Sequence, residues 1–327
     1  MIKKSRTIPI KIQKLEALER RTPSFHPKKS FILDELSRRR SGYKGEKSLD
    51  YHLSFLLDRP YHILHGLRLL NQHNKYFQID TLILTPFFIP IIEAKNYGGT
   101  ITFDNQFHQL IQQNVEIERA YEDPVVQVKR HQLQLKGWLK QNKFPNIPIL
   151  PLVVISNPST VIKTIGNPKN YPHITKSINL IFEIEKYEKI YKNEILTKKE
   201  LTKLSKLLVK KHTPEEDDVL HRFKIDKNEL LTGVQCPSCF FIPMNRVHGN
   251  WLCPSCHGYS KTAHLAALRD YALLISPTIT NRDLRNFLQL PSRTIATNII
   301  TLLNLPGTGK GKARKYELSK LLLDSSL

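Results

Sequence analysis

The stretch QIDTLILTPFFIPIIEAKNYGG, Gln78–Gly99, decides how the rest of the chain is read. It consists of two apolar, β-rich runs separated by a short break at Pro86. Side chains alternate along a strand, so Glu93 and Lys95 share one face. Asp80, on the preceding strand, reaches that face across the pair. Phe87–Ile92 is solidly apolar, and a charged pair that finishes a buried strand needs a partner or an ion. Pro90 carries no ladder donor, which predicts an edge or a bulge at that position.

Outward from this stretch, the patterning alternates between helix and strand. Leu49, Leu53, Leu56 and Leu57 recur at helical spacing, with Gly42 and Gly45 before them and Pro60 after. Glu46 shares their apolar face; by itself it reads as a first-turn acid answering the helix dipole. Ile63–Leu70, Tyr76–Thr85 and Phe87–Tyr97 read as strands, and Ile101–Phe107 as a further one. Asp123-Pro124 is a helix start, an N-cap acid followed by proline. That helix runs to about Gln141 and presents Gln127, Arg130, His131 and Gln134 on a polar face. Pro148–Ser156 is a continuously apolar, buried strand, and Ser177–Phe182 reads as another. Thr197–Lys211 is an amphipathic helix with Leu201, Leu204, Leu207 and Leu208 in register. Residues 45–212 are therefore expected to form an α/β unit around a mixed sheet.

The acids and the lysine suggest chemistry. Hydrolysing a phosphodiester needs a hard cation held by carboxylates, an activated water and positive charge near the phosphorus. Asp80 and Glu93 can hold Mg²⁺ (or Mn²⁺), with the Ala94 carbonyl as a further ligand. Lys95 can orient or deprotonate the water and stabilise developing negative charge. An exposed Glu-Lys pair at a strand end is the plain alternative.

Gly45-Glu46, Gln78-Ile79-Asp80, Ile92–Gly99 and Asp123-Pro124-x-x-Gln127-x-x-Arg130-His131 stand in an order that resembles the nuclease-related domain, NERD, of the PD-(D/E)xK endonuclease-like superfamily. The resemblance covers roughly residues 42–160. It implies a restriction-endonuclease-like mixed β-sheet flanked by helices, and catalytic roles at Glu46, Asp80, Glu93, Lys95 and Gln127. Glu46 becomes a third carboxylate near the metal, and Gln127 helps position water, metal or phosphate. Pro90 departs from the family, whose strand runs on here with β-branched residues.

Cys236-Pro237-Ser238-Cys239 and Cys253-Pro254-Ser255-Cys256 are the chain's four cysteines, and their spacing points to a structural, tetrahedral Zn²⁺ site of the zinc-ribbon kind. Trp251 is placed beneath the metal, and His248 and His257 are read as non-ligands. Three helix-like segments follow, Thr262–Ser276, Thr280–Leu288 and Ser292–Leu303, then a basic glycine-rich loop and a short strand, Tyr316–Ser319. This resembles a winged helix-turn-helix. Arg293, Thr294 and Asn298 would face bases, Lys310, Lys312, Arg314 and Lys315 would grip phosphates, and Arg130 adds a contact from the nuclease-like part. A small helical interaction domain is the competing reading. Gly307–Lys312 lacks the Gly-Lys-Ser/Thr ending of a nucleotide-binding P-loop.

The formal charge of +21 over 327 residues attracts polyanions. Residues 1–46 hold 13 Lys+Arg against 5 acids, and 260–327 hold 10 against 4. DNA is the expected partner, with RNA open; oligomeric state is not legible. The longest apolar run is too short to cross a bilayer and no signal-peptide core follows Met1, so a cytoplasmic protein is expected. The expected organisation is a basic arm (1–41), read as solvated although Gln13–Arg21 and Ser30–Arg40 could each form a short helix, then a NERD domain (42–212), a linker (213–232), the zinc ribbon (233–260) and a winged-helix-like domain (261–327). The function expected is metal-dependent nuclease action on DNA; the alternative is a nucleic-acid-binding or regulatory protein on an inactive nuclease-like fold.

Overall fold

The strands expected around Asp80 and Glu93 lie in a mixed sheet of a computed structural model that describes residues 1–114, 117–167 and 171–323. The chain begins with β1 (Ile2–Lys4), α1 (Ile10–Arg21) and α2 (Lys29–Ser54). Strands β2 (His62–Leu70), β3 (Tyr76–Leu84), β4 (Ile89–Lys95), β5 (Thr100–Asp104), β6 (Gln109–Gln113) and β7 (Glu118–Glu122) follow. Next come α3 (Pro124–Gln141), β8 (Ile149–Ile155), β9 (Val161–Thr164), β10 (Ile174–Lys176), α4 (Leu180–Ile190) and α5 (Lys198–Lys211). After a short α6 (Val219–Phe223) come β11 (Asn245–Val247), β12 (Asn250–Leu252) and β13 (Tyr259–Ser260). The C-terminal part holds α7 (Ala263–Leu274), β14 (Thr278–Thr280), α8 (Asn281–Phe287), α9 (Arg293–Leu302), β15 (Gly307–Thr308), β16 (Lys315–Glu317) and α10 (Ser319–Leu323). Two compact units are formed, Met1–Ile8 with Arg38–Glu215, and Pro9–Ser37 with Glu216 onward.

The first unit is mixed α/β. Its main sheet has the order β1-β2-β3-β4-β8-β10, and a smaller sheet has the order β7-β6-β5-β9. Strands β2, β3 and β4 are antiparallel neighbours, whereas β4–β8 and β8–β10 are parallel. One core sets Val125, Val128 and Leu135 of α3 and Leu201, Leu204 and Leu208 of α5 against Leu82, Leu84, Ile89 and Ile91. The second core sets Leu49 and Leu53 of α2 and Leu180 and Ile184 of α4 against Ile63, Ile83, Phe88 and Ile92. The fold is a mixed sheet flanked by helices, as the nuclease-like reading requires.

Pro90 is not on an edge, because β4 pairs with both β3 and β8. Ile89 donates its N–H to Pro148 O at 2.8 Å, toward β8. Alternation turns position 90 toward β3, beyond the last registered pair of Leu82 with Ile91, so the missing donor breaks no ladder bond. Ser177–Phe182 is a 3₁₀ turn followed by α4, not a strand. Leu180 and Ile184 are buried at helical spacing, while Ile178 and Phe182 are exposed. Finally, Gly42 and Gly45 do not precede the helix; α2 runs through both of them. At Gly45 a Cβ would stand 2.4 Å from Asn96 Cβ and 2.7 Å from Ser156 Oγ. Glycine lets the helix approach the ends of β4 and β8.

In the second unit, residues 10–21 are not a solvated arm. They form α1, which buries Ile12, Leu15, Ala17 and Leu18 and packs on α7. Arg21 is also buried, donating from Nε to Asp270 at 2.9 Å and from Nη1 to Gly233 O at 2.7 Å. Such a pair is costly to break, because either partner alone would be an uncompensated buried charge. Strands β11-β12-β13 form a small antiparallel sheet between and after the cysteine pairs, and Cys236, Cys253 and Trp251 share one core with Leu268 of α7, Leu284 of α8 and Ile299 of α9. Strands β14-β16-β15 close the unit as a small antiparallel sheet. Thr280 and Ser292 cap α8 and α9 by accepting from Asp283 N and Ile295 N.

Candidate active site and cysteine centre

At the centre of the main sheet the regular pairing fails beside Asp80. In β2 and β3, Ile63 and Ile83 face the α2 core, whereas Leu67, Leu69, Phe77 and Ile79 face the α3 core. Strict alternation would put all these odd-numbered positions on one side of the sheet. The change of facing falls at Gly66, which has φ of 55° and, like Asp80, lies between the registered pairs His65–Thr81 and Leu67–Ile79. That conformation is open to glycine and strained for most other residues. On the other side of β3, registered pairing with β4 stops at Thr81 with Ile92. One step further the Asp80 side chain takes over from the backbone, its Oδ2 accepting from Ala94 N at 3.0 Å. Asp80 thus joins β3 to β4 at the point where their registered pairing ends.

Glu93 is buried opposite Asp80, and Lys95 follows it on the same face. Lys95 Nζ donates to Glu93 Oε1 at 2.8 Å and to Gln127 Oε1 at 2.9 Å. Gln127 comes from the first turn of α3, where Asp123 caps the helix through Val125 N at 2.8 Å. Below the sheet end, Ser156 N donates to Lys95 O at 2.9 Å and Asn96 Nδ2 donates to Ser41 O at 2.8 Å. These bonds tie β4 to β8 and α2, and α2 carries Glu46. Glu46 Oε2 accepts from Arg6 Nη1 at 2.8 Å. The five residues expected from the sequence thus stand on α2, β3, β4 and α3 around one sheet end.

The electrostatics follow from crowding acids out of water. Burial and the Asp80 carboxylate push Glu46 up to about 8, against the pull of Arg6 and Lys95. Burial and the Glu93 carboxylate push Asp80 up to about 7, although Lys95 and the Ala94 N–H oppose them. Glu93 is raised too, by burial, with Lys95 pulling the other way. Burial opposes the charge of Lys95, but Glu93, Asp80 and Tyr97 outweigh it and raise its pKa. Lys95 is therefore an ammonium at neutral pH, better suited to stabilising negative charge than to taking a proton.

Sequence reasoning did not find four neighbours of this site. Arg6, Asp50, His65 and Thr81 form a network around Glu46, joined through the Arg6 guanidinium. His131, one turn after Gln127, places Nδ1 3.6 Å from Glu93 Oε2, and that atom is buried without a hydrogen-bond partner. Its place in the polar stripe of α3 was a usable signal. Burial lowers His131 to about 4, so it is neutral.

The donor chemistry fits a hard divalent cation. The site offers carboxylates that raise one another's pKa, and an orphaned imidazole nitrogen beside them. Its acids, Glu46, Asp50, Asp80 and Glu93, outnumber the two cations that donate to them, Arg6 and Lys95, by two. Yet among the described residues only the four cysteines gather three or more metal-ligating groups with their atoms within 4.8 Å of one another. Each carboxylate has a hydrogen-bond donor of its own: Asp80 accepts from Ala94 N, Glu46 from Arg6 and Glu93 from Lys95.

The cysteine centre is closed. Cys236 and Cys256 Sγ lie 3.6 Å apart, and Cys239 and Cys253 Sγ 3.5 Å. A tetrahedron with Zn–S bonds of about 2.3 Å has edges of about 3.8 Å, so the set suits zinc. The two knuckles repeat each other. Phe240 N donates to Cys236 O at φ 62°, and His257 N donates to Cys253 O at φ 57°. His257 thus occupies the left-handed position of its knuckle, and His248 sits left-handed in the hairpin turn at φ 42°. Trp251 is fully buried and donates from Nε1 to His264 Nδ1 at 3.1 Å.

Of the residues expected to meet nucleic acid, seven belong to the second unit and Arg130 to the first. Arg293, Thr294 and Asn298 are exposed on α9, and Lys310, Lys312, Arg314 and Lys315 are exposed between or on β15 and β16. Arg130 is exposed on α3 and paired with Glu122.

Residues 41–156 match the family model of the nuclease-related domain, NERD. The match starts inside α2, just before Glu46, and ends at Ser156 after β8, so it encloses the acids, Lys95 and Gln127. The first unit therefore carries a nuclease-related domain. An uncharacterized protein of Bacillus anthracis is 23% identical over 146 residues, which span 45% of this chain and 66% of that protein. No solved structure matches the chain. Among the described residues, no helix is long and apolar enough to cross a membrane.

Proposed function

We propose that the protein is a divalent-metal-dependent nuclease that cuts phosphodiester bonds in DNA, with Glu46, Asp80, Glu93, Lys95 and Gln127 as its active-site set. The observation that carries this reading is the break in pairing at Asp80, which puts Asp80, Glu93 and Lys95 on one face at a sheet end. In this reading Asp80 and Glu93, with Glu46 beside them, hold Mg²⁺ or Mn²⁺. The cation would supply a bound water of lowered pKa and charge to balance the phosphate. Lys95 meets the negative charge that develops on the phosphate oxygens, and its grip on Gln127 fixes its ammonium for that purpose. Glu93 holds Lys95 in place, and neutral His131 accepts a hydrogen bond from water or substrate without adding charge. In the second unit, α7, β14, α8, α9 and the β15–β16 hairpin follow one another in the order of a winged helix. We read α9 as the element that enters a major groove and residues 309–314 as the wing along the backbone. The four cysteines hold structural zinc.

The test is incubation of labelled plasmid and single-stranded DNA and RNA with Mg²⁺, Mn²⁺ or EDTA. Wild-type protein is expected to nick DNA only with metal. Asp80→Asn and Lys95→Ala should lower the rate at least about a hundredfold while still shifting DNA on a gel. Equal cutting by both variants sinks the mechanism. A second reading, a DNA-binding protein without hydrolysis, is favoured by one observation: the three carboxylates are not gathered as closely as the cysteines. It predicts a salt-sensitive gel shift with no metal-dependent products.

A further inference from the structure

Arg6 lies outside the nuclease-related match, 35 positions before its first residue, yet its guanidinium is built into the acid cluster. Residues Ile2–Lys4 add β1 as a parallel edge strand beside β2, which carries Arg6 to the sheet end. There Nη1 donates to Glu46 Oε2 at 2.8 Å and Nε to Asp50 Oδ1 at 3.0 Å. Nη2 bonds to Thr81 Oγ1 at 3.1 Å and to His65 Nδ1 at 2.9 Å. Thr81 and His65 are themselves bonded at 3.1 Å. The Arg6 side chain is only 5% exposed, so it is not free to track a phosphate backbone.

We propose that Arg6 is a positioning residue for the cation-binding carboxylates. It fixes Glu46 by one oxygen and leaves the other to a divalent cation, and through Thr81 it fixes the strand residue next to Asp80. The proposal rests on the reading of this site as a cation-dependent one. Glu46 and Asp80 come from a helix and a strand, and two carboxylates brought together in a desolvated site repel each other. A fixed cation between the elements offsets that repulsion before any metal arrives. The planar fork of arginine serves four acceptors on α2, β2 and β3 at once, whereas a lysine ammonium is a point charge with three donors on a flexible stem. Arg6→Lys therefore keeps the charge and loses the geometry.

The experiment measures Mn²⁺ binding to the zinc-loaded full chain by calorimetry, alongside a thermal melt. Wild type, Arg6→Lys, Arg6→Ala and Asp80→Asn are compared. Arg6→Lys is expected to melt near wild type and to bind Mn²⁺ about tenfold to a hundredfold more weakly, the usual loss when a ligand's hydrogen-bond partner is changed. Millimolar methylguanidinium should restore part of the Mn²⁺ affinity of Arg6→Ala, a response that lost packing alone would not give. If Arg6→Ala does not fold, Arg6→Lys decides. Wild-type or tighter Mn²⁺ binding in the Arg6 variants, with binding lost in Asp80→Asn, overturns the role of Arg6 and leaves the cation site standing. Unchanged binding in Asp80→Asn, or none in wild type, overturns the site and the role of Arg6 together.

Discussion

His264 shows how a single buried side chain couples chemistry to stability. Its Nδ1 accepts from Trp251 Nε1, so the ring must be neutral at that nitrogen. Burial, with Arg246 adding repulsion, lowers its pKa from 6.5 to about 4. A histidine with a depressed folded pKa contributes stability that is complete above its unfolded value and lost as pH falls through the folded one. The second unit should therefore lose roughly 3 kcal/mol between pH 6.5 and pH 4 from this group. His264→Gln should flatten that part of the profile, read from the melting of the second unit at several pH values. An unchanged slope in the variant would show that other groups carry the acid sensitivity. At Lys95 the same physics has the opposite sign, since neighbouring carboxylates outweigh burial and keep the ammonium charged.

Among the elements, α2 is the one whose packing decides where Glu46 goes. The Gly45 backbone lies against Asn96 and Ser156, and a Cβ there would come within 2.4 Å of Asn96 Cβ. Replacing glycine inside a helix by alanine ordinarily gains about 1 kcal/mol. Overpacking at a tight crossing costs about 1–3 kcal/mol, and here two neighbours must move. Gly45→Ala is expected to be destabilising by up to about 2 kcal/mol in urea melts and to lower any metal-dependent activity. A gain in stability would show that the crossing gives way easily. Strand β4 shows the reverse case, a residue that fits where it is not expected. Its proline is tolerated in an interior strand because the imide nitrogen lies past the end of the β3 ladder.

For the whole molecule, the two units should differ in their response to metal removal. Cys236 and Cys253 are members of the same core as Trp251, Leu268 and Ile299, so the cysteine centre is part of what the second unit folds around. A structural four-cysteine zinc site contributes on the order of 10–16 kcal/mol of apparent binding energy, comparable to the whole stability of a domain. Purified protein should hold about one zinc per chain. Strong chelation at neutral pH should abolish the cooperative melt of the second unit and leave the circular dichroism of the first unit's sheet. Metal analysis that finds no zinc in intact protein would refute this. The net charge of +21 supplies long-range attraction to polyanions.

Sequence alone determined the features that depend on local spacing. The two CPSC knuckles, the limits of α3 with its Asp123-Pro124 start, the apolar register of α5 and the strands carrying Asp80 and Glu93 are set by residues a few positions apart. Periodicity and cap chemistry act at that range, and they were legible. Even there the short run at Ser177–Phe182 misled, because six residues of mixed polarity fit a period of two as readily as the start of a helix. Tertiary structure alone decided that residues 10–21 are buried against α7, that Pro90 lies inside the sheet and that Arg6 sits among the acids. Arg6 meets Thr81 across 75 residues and Arg21 meets Asp270 across 249, and no pattern in the intervening chain encodes such pairs. They arise because a buried charge must find a partner once the cores have closed, and the partner is whichever acid the packing brings within reach.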